Sequence, residues 1–166
     1  MGAGMMILGE NVSLPPLMYG GSGTASRELG MPDFPPERFE AGTLPVPAVA
    51  GLRHGMEFVF KITAKVIREH EQTLALKLTK KLTALGIKVY LPDHIGSSVL
   101  FDIPEYLPEE VALTLDKNGI CTRAGLHCAP LAHRTLGSDG AVRVSLSAFN
   151  TEAEVIELCR KISQMV

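Results

Sequence analysis

The 166-residue chain predicts an α+β fold, with helices on one face of a small, mostly antiparallel sheet. Three observations carry this. Apolar residues recur at helical spacing from Ala48 to about Leu85. Short apolar runs rich in β-branched residues follow, bounded by Gly, Pro or Asn. A capped amphipathic helix closes the sequence.

Met1 to Leu8 is apolar, and Gly4 to Leu8 reads as a strand. No basic flank precedes it, so it makes a poor signal peptide. An apolar strand so near the first residue fits either an edge strand or a piece of a longer chain. Residues 9–47 are broken up by Gly20-Gly21-Ser22-Gly23-Thr24 and by Pro32, Pro35, Pro36, Pro45 and Pro47, which forbid long helices. Leu17, Met18, Tyr19, Phe34 and Phe39 recur there, so the segment is expected to be an ordered loop packed on a neighbour.

Beyond Ala48, the residues Leu52, Met56, Val59, Phe60, Ile67, Leu74, Leu78, Leu82 and Leu85 fall on helical spacing, and Gly86 is a natural stop. The run is long for one globular helix. The β-branched cluster at Ile62 to Val66 predicts a break into two. Ile87–Tyr90 and Ser98–Phe101 read as strands joined by a turn around Pro92-Asp93. Pro108 to Lys117 reads as a helix, with Glu109 and Glu110 at its positive end and Asn118-Gly119 closing it. Ile120–Arg123 and Ala141–Leu146 are further strands. Thr151-Glu-Ala-Glu154 is a capping box, and Val155, Leu158 and Ile162 form the stripe of the last helix.

The composition excludes some partners. A net charge of −2 and a pI near 6.2 leave no basic excess for nucleic acid or anionic membrane. No run reaches the ~18 apolar residues of a spanning helix. Cys121, Cys128 and Cys159 are odd in number and irregular in spacing, which argues for a reducing, cytoplasmic compartment. Cys121 and Cys159 alternate with apolar neighbours and read as core. His54, His70 and His94 read as ordinary packing or surface residues, and Lys77, Lys80 and Lys81 as a solvated helix face.

Chemistry concentrates at Arg123-Ala-Gly-Leu-His-Cys-Ala-Pro130. Cys128 follows His127 on a glycine-containing loop, with Arg123 five residues upstream. Nearby cations support the nucleophilic thiolate, so Cys128 reads either as a loop nucleophile or as a half-buried cysteine beside a chance histidine. Cys121, His127, Cys128 and His133 lack the paired spacing of a zinc site, so no metal is assigned. Gly20 to Thr24 lacks the Gly-Lys-Ser/Thr end of a phosphate loop, and stands as an anion loop or a plain turn. Gly42-Thr43, ahead of a helix, reads as a phosphate contact or as that helix's own cap. Arg143, in Val142-Arg-Val-Ser, reads as a carboxylate clamp or a structural ion pair inside the fold.

Together, Pro16-Leu-Met-Tyr-Gly-Gly-Ser-Gly, Arg38-Phe-Glu-Ala-Gly-Thr43, Arg123 to Pro130, Val142-Arg-Val-Ser-Leu and Phe149-Asn-Thr-Glu152 resemble the C-terminal portion of a cysteine desulfurase-like protein of the class V aminotransferase family. The resemblance implies a pyridoxal phosphate (PLP)-dependent transferase fold. It implies residues 1–65 as a remnant of the large PLP domain and 66–166 as the C-terminal α+β domain. It implies conversion of L-cysteine to L-alanine, with sulfur held as a persulfide and passed to an acceptor protein. Cys128 matches the persulfide cysteine and Arg143 the arginine that grips the substrate carboxylate. Gly42 and Thr43 match the loop that reaches the partner subunit's cofactor phosphate in the family's homodimer. Arg123 and His127 match positions flanking the nucleophile. The family's Schiff-base lysine and ring contacts have no match here, so the resemblance implies a truncated form, inactive by itself. Alternatives are a sulfur-relay or scaffold protein, or half of an enzyme completed by a separate PLP domain.

Overall fold

A computed structural model describes residues 2–24, 27–91 and 94–166. The chain divides into two compact units, Met1–Lys61 and Ile62–Val166. The turn expected at Pro92-Asp93 lies outside the described residues.

The first unit is largely irregular up to helix α1 (Val46–Ile62), apart from a 3-10 turn at Glu37–Phe39. Residues 4–8 form no strand, and Ile7 is 84% exposed. A strand needs a ladder partner for its N–H and C=O groups, and no second strand occurs among the described residues of this unit. Within this unit Leu17, Met18, Tyr19 and Phe34 are exposed and Phe39 is half-buried, so the first unit does not itself pack these side chains. Local bonds order it instead. Arg38 donates from Nε to the Leu14 carbonyl at 3.2 Å and pairs with Asp33 at 3.4 Å.

The helical run breaks where the β-branched residues gather. Thr63 adopts φ +74°, its hydroxyl accepts the Val66 N–H, and α2 runs from Ala64 to Ala84. Leu74, Leu78 and Leu82 lie four residues apart, one turn each, and all three are buried. Gly86, at φ +76°, ends the helix; the Ile87 N–H returns to the Leu82 carbonyl at 3.1 Å, and Ile87 joins the core.

The sheet comprises β1 (Lys88–Tyr90), β2 (Ser98–Asp102), β3 (Arg123–Gly125) and β4 (Ala141–Ser145), antiparallel throughout in the order β1-β2-β4-β3. Val99 and Phe101 of β2 pair with Val144 and Val142 of β4, and these four face the core. Helices α2, α3 (Pro108–Asp116) and α5 (Glu152–Ile162) cover that face through Leu78, Val111, Leu115, Val155 and Ile162. Full burial of each such side chain contributes roughly 1.5–3 kcal/mol. Because side chains alternate along a strand, the opposite face carries Tyr90, Leu100, Arg143 and Arg123 in one row across all four strands.

Two expectations are corrected. The strand placed at Ile120–Arg123 begins only at Arg123, because the Ile120 N–H bonds back to Leu115 O at 3.0 Å to finish α3. Ile120 packs against the core, and Cys121, expected inside, is exposed. A short helix, α4 (Pro130–Leu136), follows the Cys128 loop, with proline in its first turn and Gly137 left-handed after its end. Cys159 is buried in α5, where burial raises its thiol pKa.

Candidate functional site

Strand β3 ends in a tight loop that carries Cys128. Gly125, His127 and Cys128 have φ of +98°, +53° and +59°. Two non-glycine residues in the left-handed region cost on the order of 1–3 kcal/mol each, so other contacts must hold them. The Ala129 N–H closes the turn on Leu126 O at 2.9 Å, and His127 Nε2 lies 3.1 Å from the Ala141 carbonyl at the start of β4. Since a carbonyl only accepts, Nε2 carries the proton, and the buried Nδ1 lone pair is left without a partner. Burial, with the nearby Arg143, His133 and Arg123, holds the imidazole below its ordinary range against the Ala141 bond, which works the other way, and the net effect favours a neutral ring.

The loop turns Cys128 outward, and the thiol is exposed. Arg123 donates from Nη2 to its Sγ at 3.7 Å. Arg123 also sits directly opposite Arg143 in the β3–β4 ladder. Like charges facing across a ladder are destabilising, and Arg143 Nε is buried with no hydrogen-bond partner. An anion bound on this sheet face would relieve both.

Gly42 and Thr43 belong to the other unit. Gly42 has φ +91°, with open space where a Cβ would stand. Its N–H bonds to Gly21 O at 2.8 Å, which joins the Gly20–Thr24 turn and the Glu40–Thr43 segment in one place. Helix α1 starts at Val46, so Thr43 is not in capping position; its hydroxyl is left exposed. Among the described residues no group of three or more His, Cys, Asp or Glu side chains can hold a metal ion, and no helix is long and apolar enough to cross a membrane.

Two residues of this neighbourhood escaped sequence reading as a pair. His133, 2% exposed, places Nδ1 3.2 Å from Ser138 Oγ, and its ring centroid lies 5.4 Å from that of His127. The available signal was a histidine four residues into a Pro-started, Gly-ended helix, beside the Cys128 loop.

An arginine-supported cysteine on a loop, beside a strand arginine on the bare face of an antiparallel sheet, is the site this fold builds. The chain belongs to the class V aminotransferase family, which matches residues 1–158. Within that family it is similar to cysteine desulfurases. A probable cysteine desulfurase of Pyrococcus abyssi is 35% identical over 135 residues, covering 80% of this chain and 34% of that protein. One from Staphylococcus aureus strain COL is 30% identical over 132 residues, covering 78% and 32%. The structure of apo cysteine desulfurase from Thermococcus onnurineus NA1 superposes with a TM-score of 0.79 at 31% identity, over 92% of this chain and 39% of the other. A cysteine desulfurase from Escherichia coli, 23% identical, shares the fold with a TM-score of 0.76. The chain spans about a third of the length of the curated relatives it matches.

Proposed function

We propose that this chain carries the carboxylate-gripping and persulfide-bearing parts of a cysteine desulfurase, and that alone it does not turn over L-cysteine. The observation that carries the reading is the Arg123 Nη2 to Cys128 Sγ contact of 3.7 Å on a loop beside Arg143. In this reading Arg143 takes the substrate carboxylate in its guanidinium fork and Cys128 receives the sulfur.

Pyridoxal phosphate, the cofactor the family implies, supplies an electron sink for the amino acid when bound. The residues present fit only the rim of such a site. In the first unit Gly42 has open space where a Cβ would stand and Thr43 is exposed, a place for a phosphate; in the second unit Arg143 has an unpaired Nε for a carboxylate. No lysine is assigned to the cofactor: Lys88, on the bare sheet face, lies over the Tyr90 ring at 4.5 Å, and Lys77 pairs with Glu152 at 2.6 Å.

The chemistry left to the chain is sulfur exchange. A Cys128 thiolate attacks the outer sulfur of a donor persulfide. One S–S bond forms at Cys128, the donor's S–S bond breaks, and the donor departs as a thiolate, with no oxidant consumed. The proposed partners are a donor or completing PLP domain, a sulfur-acceptor protein and a second copy, as in the family dimer; the proposed compartment is the cytoplasm.

Incubation of the full chain with PLP and L-cysteine should give alanine at the level of the blank, and clear turnover would overturn the claim of inactivity. A desulfurase charged with L-cysteine should place one extra sulfur on Cys128, read by site-resolved mass spectrometry, and Cys128→Ser should take none. Absence of that label would remove the persulfide reading. A second reading, an enzyme half completed by a separate PLP domain, is favoured by α1, which has no buried residue. Alanine production restored by adding a PLP-domain half would favour it over the relay.

A further inference from the structure

We propose that His133 is a positioning residue for Cys128, holding the loop through Ser138 and the start of β4. The inference rests on the reading of Cys128 as the nucleophile and extends it to residues outside that reading.

The geometry can be followed atom by atom. Ser138 Oγ lies 2.8 Å from the Gly140 carbonyl, 3.1 Å from the Gly140 N–H and 3.2 Å from His133 Nδ1. Two oxygens so close need a proton between them, and only the serine has one. The hydroxyl therefore donates to Gly140 O and accepts from the Gly140 N–H. His133 must then donate from Nδ1, which selects one tautomer of a buried ring. The Ser138 N–H also returns to the His133 carbonyl at 2.9 Å. The turn from Gly137 to Gly140 is thus tied to His133 by side chain and backbone together.

That turn delivers Ala141, whose carbonyl holds His127 Nε2 at 3.1 Å, one residue before Cys128. The fit is close: a Cβ on Gly140 would stand 3.4 Å from the Gly125 Cα, at the root of the same loop. From the other side, the His133 N–H bonds to Ala129 O at 3.2 Å, one residue after Cys128. The backbone bond only continues α4; it is the His133 side chain, through Ser138, that steadies the β4 flank of the two residues held at positive φ. Without its Nδ1–H, Ser138 Oγ loses a donor in a buried place, and the Ala141 carbonyl loses its fixed position. The loop would relax and Cys128 would drift from Arg123.

The three cysteines permit an internal test. In the full chain, Cys128 and Cys121 are exposed and Cys159 is buried. Iodoacetamide labelling with site-resolved mass spectrometry gives the Cys128 to Cys121 rate ratio, and Cys159 reports unfolding. His133→Leu should lower that ratio roughly threefold or more, because thiolate rates follow the support a cation gives the sulfur. His133→Asn, whose amide can donate from nearly the same place, should keep the wild-type ratio. Should His133→Leu expose Cys159, Ser138→Ala removes the bridge at little cost in volume and should lower the ratio in the same way. An unchanged ratio in a variant that keeps Cys159 protected overturns the proposal, as does equal loss in His133→Leu and His133→Asn. Failure of the persulfide reading looks different: there the wild-type protein itself takes no sulfur at Cys128.

Discussion

Helices α1 and α2 are consecutive, of similar length, and separated by Thr63, yet they differ completely in what they bury. In α1, 17 residues long and rich in Val, Met and Phe, no residue is buried; Phe60 is 74% exposed. In α2, 21 residues long and laced with Lys, Glu and Gln, five residues are buried, with Leu78 at 0% exposure. Apolar content therefore does not make a core; spacing matched to a facing surface does. Leu74, Leu78 and Leu82 share one core with Val99, Phe101, Val142 and Val144 of the sheet. The apolar residues of α1 meet no sheet among the described residues of the first unit.

The strongest way to break the comparison is to truncate one side chain in each helix. Leu78→Ala should cost about 2–5 kcal/mol, as a buried leucine leaving a cavity. Phe60→Ala should stay within about 0.5 kcal/mol, as a surface change. Denaturant unfolding measures both, and an equal loss at Phe60 would mean that α1 is packed after all. The junction comes next. Thr63 sits at φ +74° with its hydroxyl 3.4 Å from the Val66 N–H. Thr63→Gly gives up only a few tenths of a kcal/mol of cap and relieves a backbone strain of order 1 kcal/mol, so it should leave stability unchanged or raise it. A large loss in thermal melts would instead make Thr63 a needed hinge.

A smaller effect sharpens the account of the α5 cap. The Glu154 carboxylate accepts the Thr151 N–H at 2.6 Å, and Thr151 Oγ1 accepts the Glu154 N–H at 3.3 Å. Thr151→Ala should cost about 1 kcal/mol in denaturant unfolding. A change in the Cys128 labelling ratio in the same variant would count against treating helix and loop as independent.

Acidification should give the smallest effect. His127 is held below its ordinary 6.5, so the unfolded chain takes the proton first as pH falls. Its contribution to stability is full above 6.5, shrinks as pH drops below that, and levels off under the folded value. Glu152, Glu154 and Glu157 lie below their ordinary 4.5, through bonds to Lys77, Thr151 and Arg160 respectively. Their contribution is full above 4.5 and is lost as pH falls through the folded values. Melting temperature should thus decline in two stages, and His127→Gln should flatten the upper stage, which begins as pH falls below 6.5, while sparing the lower one. A melting curve that steepens in the upper stage would assign it to another group.

How legible the chain was depends on whether a signal is local. The helix break, the Gly86 stop, the Pro108 start and the Thr151 cap were all readable, because each rests on a few neighbouring residues. So was the arginine five positions before Cys128, now in contact with it. The β3 boundary was not, since the Ile120 N–H had two possible uses, a ladder or the return bond that ends α3, and only packing selects between them. Cys121 was misplaced for the same reason: alternation is informative only once a segment is known to be a strand.

The sequence by itself determined where helices begin and end, which face of α2 and α5 is apolar, and that a cysteine loop follows an arginine, because backbone conformation and periodicity are properties of adjacent residues. Tertiary structure alone decided that Arg123 faces Arg143 and that His133 ties Ser138 to the loop beside Cys128. Each of these depends on which distant segments share a ladder or a core, and hydrogen-bond register and packing settle that only when the chain is assembled.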